Sequence, residues 1–75
     1  MNSQDHLVYM INQIARNLAI KGNEKAALAT ADHIKQFWNP RMKRMICAKA
    51  KEGDANLSKI ALLAVQNMLE RSDVE

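Results

Sequence analysis

The sequence predicts an all-α protein, a compact array or bundle of four short helices in a single helical domain spanning residues 1–75. Three observations predict it. Good helix formers (alanine, leucine, methionine, lysine, glutamine) abound, while glycine occurs twice and proline once. Apolar residues recur at three- and four-residue spacing along most of the chain. The glycines, the proline and a few short polar residues cut that pattern into segments at about 5–21, 24–38, 40–52 and 59–71.

In the first segment Leu7, Met10, Ile11, Ile14 and Leu18 make one apolar stripe, with Ser3 or Asp5 as N-cap. Gly22 offers the left-handed residue that ends a helix, and Asn23 reads as the next N-cap, with Glu24 in the first turn. The second stripe is Ala27, Ala31, Ile34 and Trp38, flanked by Leu28 and Phe37; its alanines allow a neighbouring helix to come close. Asn39 then reads as N-cap and Pro40 as the first residue of the third helix, where a missing N–H costs nothing. That helix turns Met42, Met45, Ile46 and the stem of Lys49 inward and leaves Cys47 half-buried beside the stripe, an unreactive thiol. Gly53 ends it.

After the polar loop Gly53-Asp54-Ala55-Asn56, Ser58 caps the fourth helix, with Leu57 and Leu62 placed as a hydrophobic staple. Ile60, Ala61, Leu62, Ala64, Val65, Met68 and Leu69 cover more than half of its circumference, and Leu63 sits apart among Lys59, Gln66 and Glu70. A helix this apolar is either central in its own bundle or covered by a second chain. The last residues, Ser72 to Glu75, read as a frayed end.

Length bounds what such a chain does alone. A domain of 75 residues buries only about 60% of its unfolded surface, so its stability is thin without outside support. Cys47 is the only cysteine, which rules out an internal disulfide, and the polar start Met1-Asn2-Ser3-Gln4-Asp5-His6 is not a secretory signal. Both point to a reducing, cytoplasmic setting. The run Ile60-Ala61-Leu62-Leu63-Ala64-Val65 is too short to cross a bilayer, so no membrane role is expected. Support for the core is therefore expected from another protein chain. The net charge of +3, with a sequence pI near 9.3, favours an acidic partner surface but argues only weakly for nucleic acid.

An inventory of reactive groups argues against an enzyme. His6 and His33 are the only histidines, and neither stands in a recognised spacing with Cys47. The sequence has no CxxC, no HExxH, no paired carboxylates and no glycine-rich phosphate loop. Adjacent on a helix, Asp32 and His33 point about 100° apart and do not pair with each other. No catalytic residue, metal ligand or cofactor is therefore expected, and His33 reads as exposed or interfacial.

Surfaces left over from the core carry the functional reading. Tyr9, Asn12, Gln13 and Arg16 lie opposite the first stripe, and Arg41, Arg44 and Lys51 form an outward basic face. Each is either a solvated face or a contact face, since Tyr and Arg are favoured at interfaces. Trp38 packs the corner between the second and third helices and has an edge to offer a partner. A second reading, a small nucleic-acid-binding module, uses Arg41, Lys43, Arg44 and Lys51, but Glu24, Asp32, Glu52 and Asp54 dilute that charge. A third is a homodimer through the fourth helix.

Three strings go further. Met10-Ile11-Asn12-Gln13-Ile14-Ala15, Ala31-Asp32-His33-Ile34 and Phe37-Trp38-Asn39-Pro40-Arg41-Met42 resemble the delta subunit of soluble NAD-dependent formate dehydrogenases. The first is similar to that family's M-A-N-Q-I opening, with Ile11 for the usual alanine; the others resemble its A-D-H-(I/L)-x-x-F-W-x-P-R-M core. The resemblance is close over about residues 7–47 and looser beyond. It implies a non-catalytic accessory subunit that binds the larger subunits of a cytoplasmic formate dehydrogenase, chiefly the catalytic one, and aids assembly or stability. In such complexes the pterin metal cofactor, iron–sulfur clusters and flavin belong to the other subunits. The residues expected at the contact are Tyr9, Asn12, Gln13, Asp32, His33, Trp38, Arg41 and Arg44, with Arg41, His33 and the Asn12-Gln13 pair forming one polar rim.

Overall fold

The computed structural model describes residues 2–54 and 56–71. They form four helices, α1 (Ser3–Leu18), α2 (Asn23–Phe37), α3 (Pro40–Lys51) and α4 (Lys59–Glu70), with a 3-10 turn, Ala19–Lys21, between the first two. Among the described residues there is no strand, so the fold is all-α.

Helix ends follow capping chemistry, with two departures from expectation. α1 starts two residues early because Asn2, rather than Ser3 or Asp5, is its N-cap: Asn2 Oδ1 accepts the Asp5 N–H at 2.8 Å. Asp5 thereby falls in the first turn, where its charge suits the helix dipole. Asn23 is not a cap either. The 3-10 turn closes with the Gly22 N–H donating to Ala19 O, and the Gly22 carbonyl accepts the Ala26 N–H at 2.8 Å. Gly22 thus ends one helical stretch and begins the next, leaving Asn23 inside α2. Its φ of 92° and ψ of 155° lie in a region essentially reserved for glycine.

The later ends match the sequence. Asn39 Oδ1 accepts the Met42 N–H at 2.9 Å and Pro40 opens α3. At the other end Gly53, at φ 75°, donates to Ala50 O, and the Asp54 N–H donates to Lys49 O. This paired closure is the Schellman arrangement, which uses two carbonyls the helix leaves free. Ser58 Oγ accepts the Ala61 N–H at 3.1 Å to start α4. The expected frayed end, residues 72–75, lies outside the described residues, as does Ala55.

One core joins the helices. Ala27, Ala31 and Ile34 from α2 pack with Ala61, Ala64, Val65 and Met68 from α4, and α1 adds Leu7, Val8, Ile11 and Ala15. α2 and α4 form the most extensive helix pair, as their facing alanines allow. Ile46 closes the core from α3, and Trp38, 5% exposed, fills the corner before it. α4 packs against α1, α2 and α3, so it is central in its own array.

Several placements differ from expectation, among them Val8 and Ala15, which α1 buries outside its expected stripe. Leu63 is half-buried against the core while Leu62 is exposed, so Leu57 packs inward as a staple residue but Leu62 does not sit in the core. The reason is α2, whose Ala27 and Leu28 approach α4 on the Leu63 side. α2 also buries Ala26 and Thr30 beyond its expected stripe; the Thr30 hydroxyl donates to Ala26 O at 2.7 Å, which satisfies its polar atom internally. Finally, Cys47 is buried rather than half-buried.

Candidate partner-binding surface

The polar residues off the apolar stripes divide into those the fold uses and those it leaves outward. Asn12 belongs to the first kind. Its Nδ2 donates to Asn56 O at 2.7 Å and its Oδ1 accepts the Ser58 N–H at 2.9 Å. One side chain on α1 thus holds the loop that leads into α4. The same corner is tied by Lys49, whose ammonium lies 3.8 Å from Asp5 and 3.7 Å from Asp54. Asp54 in turn accepts the Asn56 N–H at 2.8 Å, fixing the loop's own turn.

Lys43 is also inward. It is only 7% exposed, and its ammonium donates to the Lys35 carbonyl at 3.1 Å, in the last turn of α2. A cation at that end meets both a carbonyl without a helical partner and the negative end of the dipole. The four-cation surface of the nucleic-acid reading therefore loses Lys43 to a structural role.

Three outward surfaces remain. On α1, Tyr9 is exposed and its hydroxyl meets Gln13 Nε2 at 3.4 Å, in a shallow depression shared with Asp5, Val8 and Asn56. On α2, Asp32 pairs with Arg71 just past α4 at 3.5 Å, and the His33 ring stands against Phe37 with centroids 4.7 Å apart. Phe37 is 70% exposed, an aromatic that the sequence placed on the flank of the stripe and the fold leaves in the open.

The third surface is a groove of about 490 Å³ between the start of α1 and the start of α3. Leu7, Met10, Met42 and Met45 form its apolar part, and His6 and Arg41 stand among its polar residues. Arg41 and Arg44 are exposed, and neither has an ion-pair partner among the described residues. The expected single rim is therefore not what the fold builds. Arg41 and the Asn12-Gln13 pair line separate depressions, and Asp32 and His33, on α2, line neither. Trp38 is enclosed in the core. Sequence reasoning missed the groove because Met10, Met42 and Met45 obey the core periodicity; each is only partly buried, and the space between the first halves of α1 and α3 leaves one side of it uncovered.

Other chemistry is sparse. Burial raises the Cys47 thiol above its usual range, against a smaller opposing pull from Lys51. Among the described residues no cluster of His, Cys, Asp or Glu has the makings of a metal site. No described helix is long and apolar enough to cross a membrane.

A sequence model of the NADH-dependent formate dehydrogenase delta subunit, FdsD, matches residues 6–65, most of the chain. The chain belongs to this family. No curated protein and no solved structure matches it significantly. The match runs from within α1 into α4 and includes the Asn39-Pro40-Arg41-Met42 corner, so Asn12 and all of the groove's lining except Asn2 and Ser3 lie inside the delta-subunit region.

Proposed function

We propose that this chain is a non-catalytic accessory subunit of a formate dehydrogenase that binds the catalytic subunit and aids assembly or stability of the active enzyme in the cytoplasm. Membership of the delta-subunit family over residues 6–65 is the observation that carries this reading. Its physical support is the set of outward residues, Tyr9, Gln13, His33, Arg41 and Arg44, which the fold does not consume in its core. Tyr and Arg are the side chains that most often anchor interfaces, because each combines apolar area with directed hydrogen bonding. A core of this size also gains from a second chain, since a small domain leaves much of its surface uncovered. The enclosed free thiol of Cys47 suits a reducing compartment.

Co-expression with the catalytic subunit tests the proposal. The two are expected to co-purify, and formate-dependent NAD reduction per unit of expressed catalytic subunit is expected to fall when the chain is left out. Absence of both co-purification and any change in active yield overturns the reading.

A further inference from the structure

The groove between α1 and α3 combines a cluster of methionines with positive charge. Met10, Met42 and Met45 line it with Leu7, and methionine side chains reshape easily around an incoming apolar group. Arg41 stands beside them, with no carboxylate among the lining residues and no ion-pair partner among the described residues. The acidic residue nearest in sequence on α1, Asp5, is drawn toward Lys49 at 3.8 Å instead. Asn39, the N-cap of α3, also lines the groove, and the first turn of α3 holds no acidic residue, so the positive end of that helix dipole adds to the Arg41 charge. Such a site favours an apolar segment that carries a negative charge. A second copy of this chain is a poor occupant, because each copy brings a net charge of +3.

We propose that this groove seats an apolar segment of the catalytic subunit and that the segment places a carboxylate against Arg41. The proposal rests on the accessory-subunit reading. Arg41 supplies direction through a paired hydrogen-bonding fork, and the methionines supply the buried area.

The test measures affinity for the catalytic subunit with the full chain and with Arg41→Glu, Met45→Ala and Lys25→Glu, each checked for folding by circular dichroism. Arg41→Glu and Met45→Ala are expected to weaken binding about 10- to 100-fold, as loss of an interface anchor does. Lys25→Glu, the same charge reversal on exposed α2 surface, is expected to leave it unchanged. The R41K variant then maps the occupant: carbodiimide is expected to couple the new amine to an Asp or Glu within an apolar stretch of the catalytic subunit, identified by mass spectrometry. If the unmodified chain does not bind the catalytic subunit, both readings fall. If it binds and both groove variants bind equally well, the groove assignment alone falls. Coupling to a second copy, or to residues 72–75 of the same chain, also overturns it.

Discussion

The Asn12 corner and the Arg41 groove are alike in sequence and opposite in structure. Each pairs an asparagine with a longer polar side chain, Asn12-Gln13 in one case and Asn39-Pro40-Arg41 in the other, and each lies on a helix beside apolar residues. At the first corner the fold closes on itself: both polar atoms of Asn12 reach the loop before α4, and Lys49 draws two aspartates from different elements together. At the second, Asn39 is used up as a helix cap while Arg41 is left without an ionic partner among the described residues. A polar residue off the core stripe is thus no guide to a binding surface until its partners inside the chain are known. The two regions make separable predictions: changes at the first are expected to lower stability, and changes at the second to lower binding.

The largest effect is expected at Asn12. Asn12→Ala removes two hydrogen bonds that join segments more than forty residues apart. Each such bond is worth about 1 kcal/mol net, so a loss of about 1–3 kcal/mol is expected. In a domain of this size that lowers Tm by about 4–8 °C for each kcal/mol. Thermal unfolding by circular dichroism reads this directly. Partner affinity measured well below Tm is expected to stay within about twofold of the unmodified chain, since a fully folded fraction binds as before. Lost affinity with unchanged Tm breaks the comparison, because it places Asn12 at the interface after all.

Lys43 sharpens the contrast within a single helix, since Arg41 two residues earlier points outward. Lys43→Met keeps the apolar stem and removes the ammonium from the Lys35 carbonyl. The expected loss is about 1 kcal/mol, from one charge-assisted bond offset in part by easier burial of the thioether. Lys43→Glu, which sets a negative charge at the negative end of α2, is expected to cost more than the methionine. Urea unfolding compares the two midpoints; equal midpoints for all three chains remove Lys43 from the stabilising set.

Much of this architecture is legible in the sequence because periodicity and capping are local. Asn39-Pro40 and Ser58 declare two helix starts, and Ala27, Ala31, Ile34 and Trp38 declare the buried face of α2. What was not legible depends on contacts distant along the chain. The bonds from Asn12 to Asn56 and Ser58 span a loop closure that no spacing rule encodes. The inward turn of Lys43 depends on where α2 ends relative to α3, and the burial of Cys47 on how the helices pack around one core. Even the misjudged caps at Asn2 and Gly22 come from competition between adjacent candidates, which intrinsic preference alone does not decide. The groove is hidden for the same reason: its methionines carry a core pattern, and only the way α1 and α3 face each other leaves them partly exposed.

Cys47, on the inner side of α3, gives a smaller effect that depends on pH. Its thiol is raised from an ordinary value of 9.0, so the folded chain holds that proton more tightly than the unfolded chain. By linkage, this contribution is fully present below the unfolded value and is lost as pH rises through 9 toward the folded value. Stability is therefore expected to decline more steeply above pH 9 in the native sequence than in Cys47→Ala. At neutral pH the thiol is expected to react with iodoacetamide more slowly in the folded chain than in urea. Equal rates in both states place Cys47 on an open surface.

The smallest stability effect is expected where the largest binding effect is proposed. Arg41→Glu and Arg44→Glu reverse exposed charges that hold no ionic partner among the described residues. Surface substitutions of this kind change stability by less than about 0.5 kcal/mol. Arg41 does sit in the first turn of α3, where a negative charge suits the dipole better than a positive one, so Arg41→Glu is expected to hold or slightly raise Tm. Arg44, four residues beyond Pro40, lies past most of that influence and serves as the neutral comparison. A Tm drop at Arg41 as large as that at Asn12 shows that its guanidinium is held by the fold, and the distinction between a closed corner and an open groove then fails.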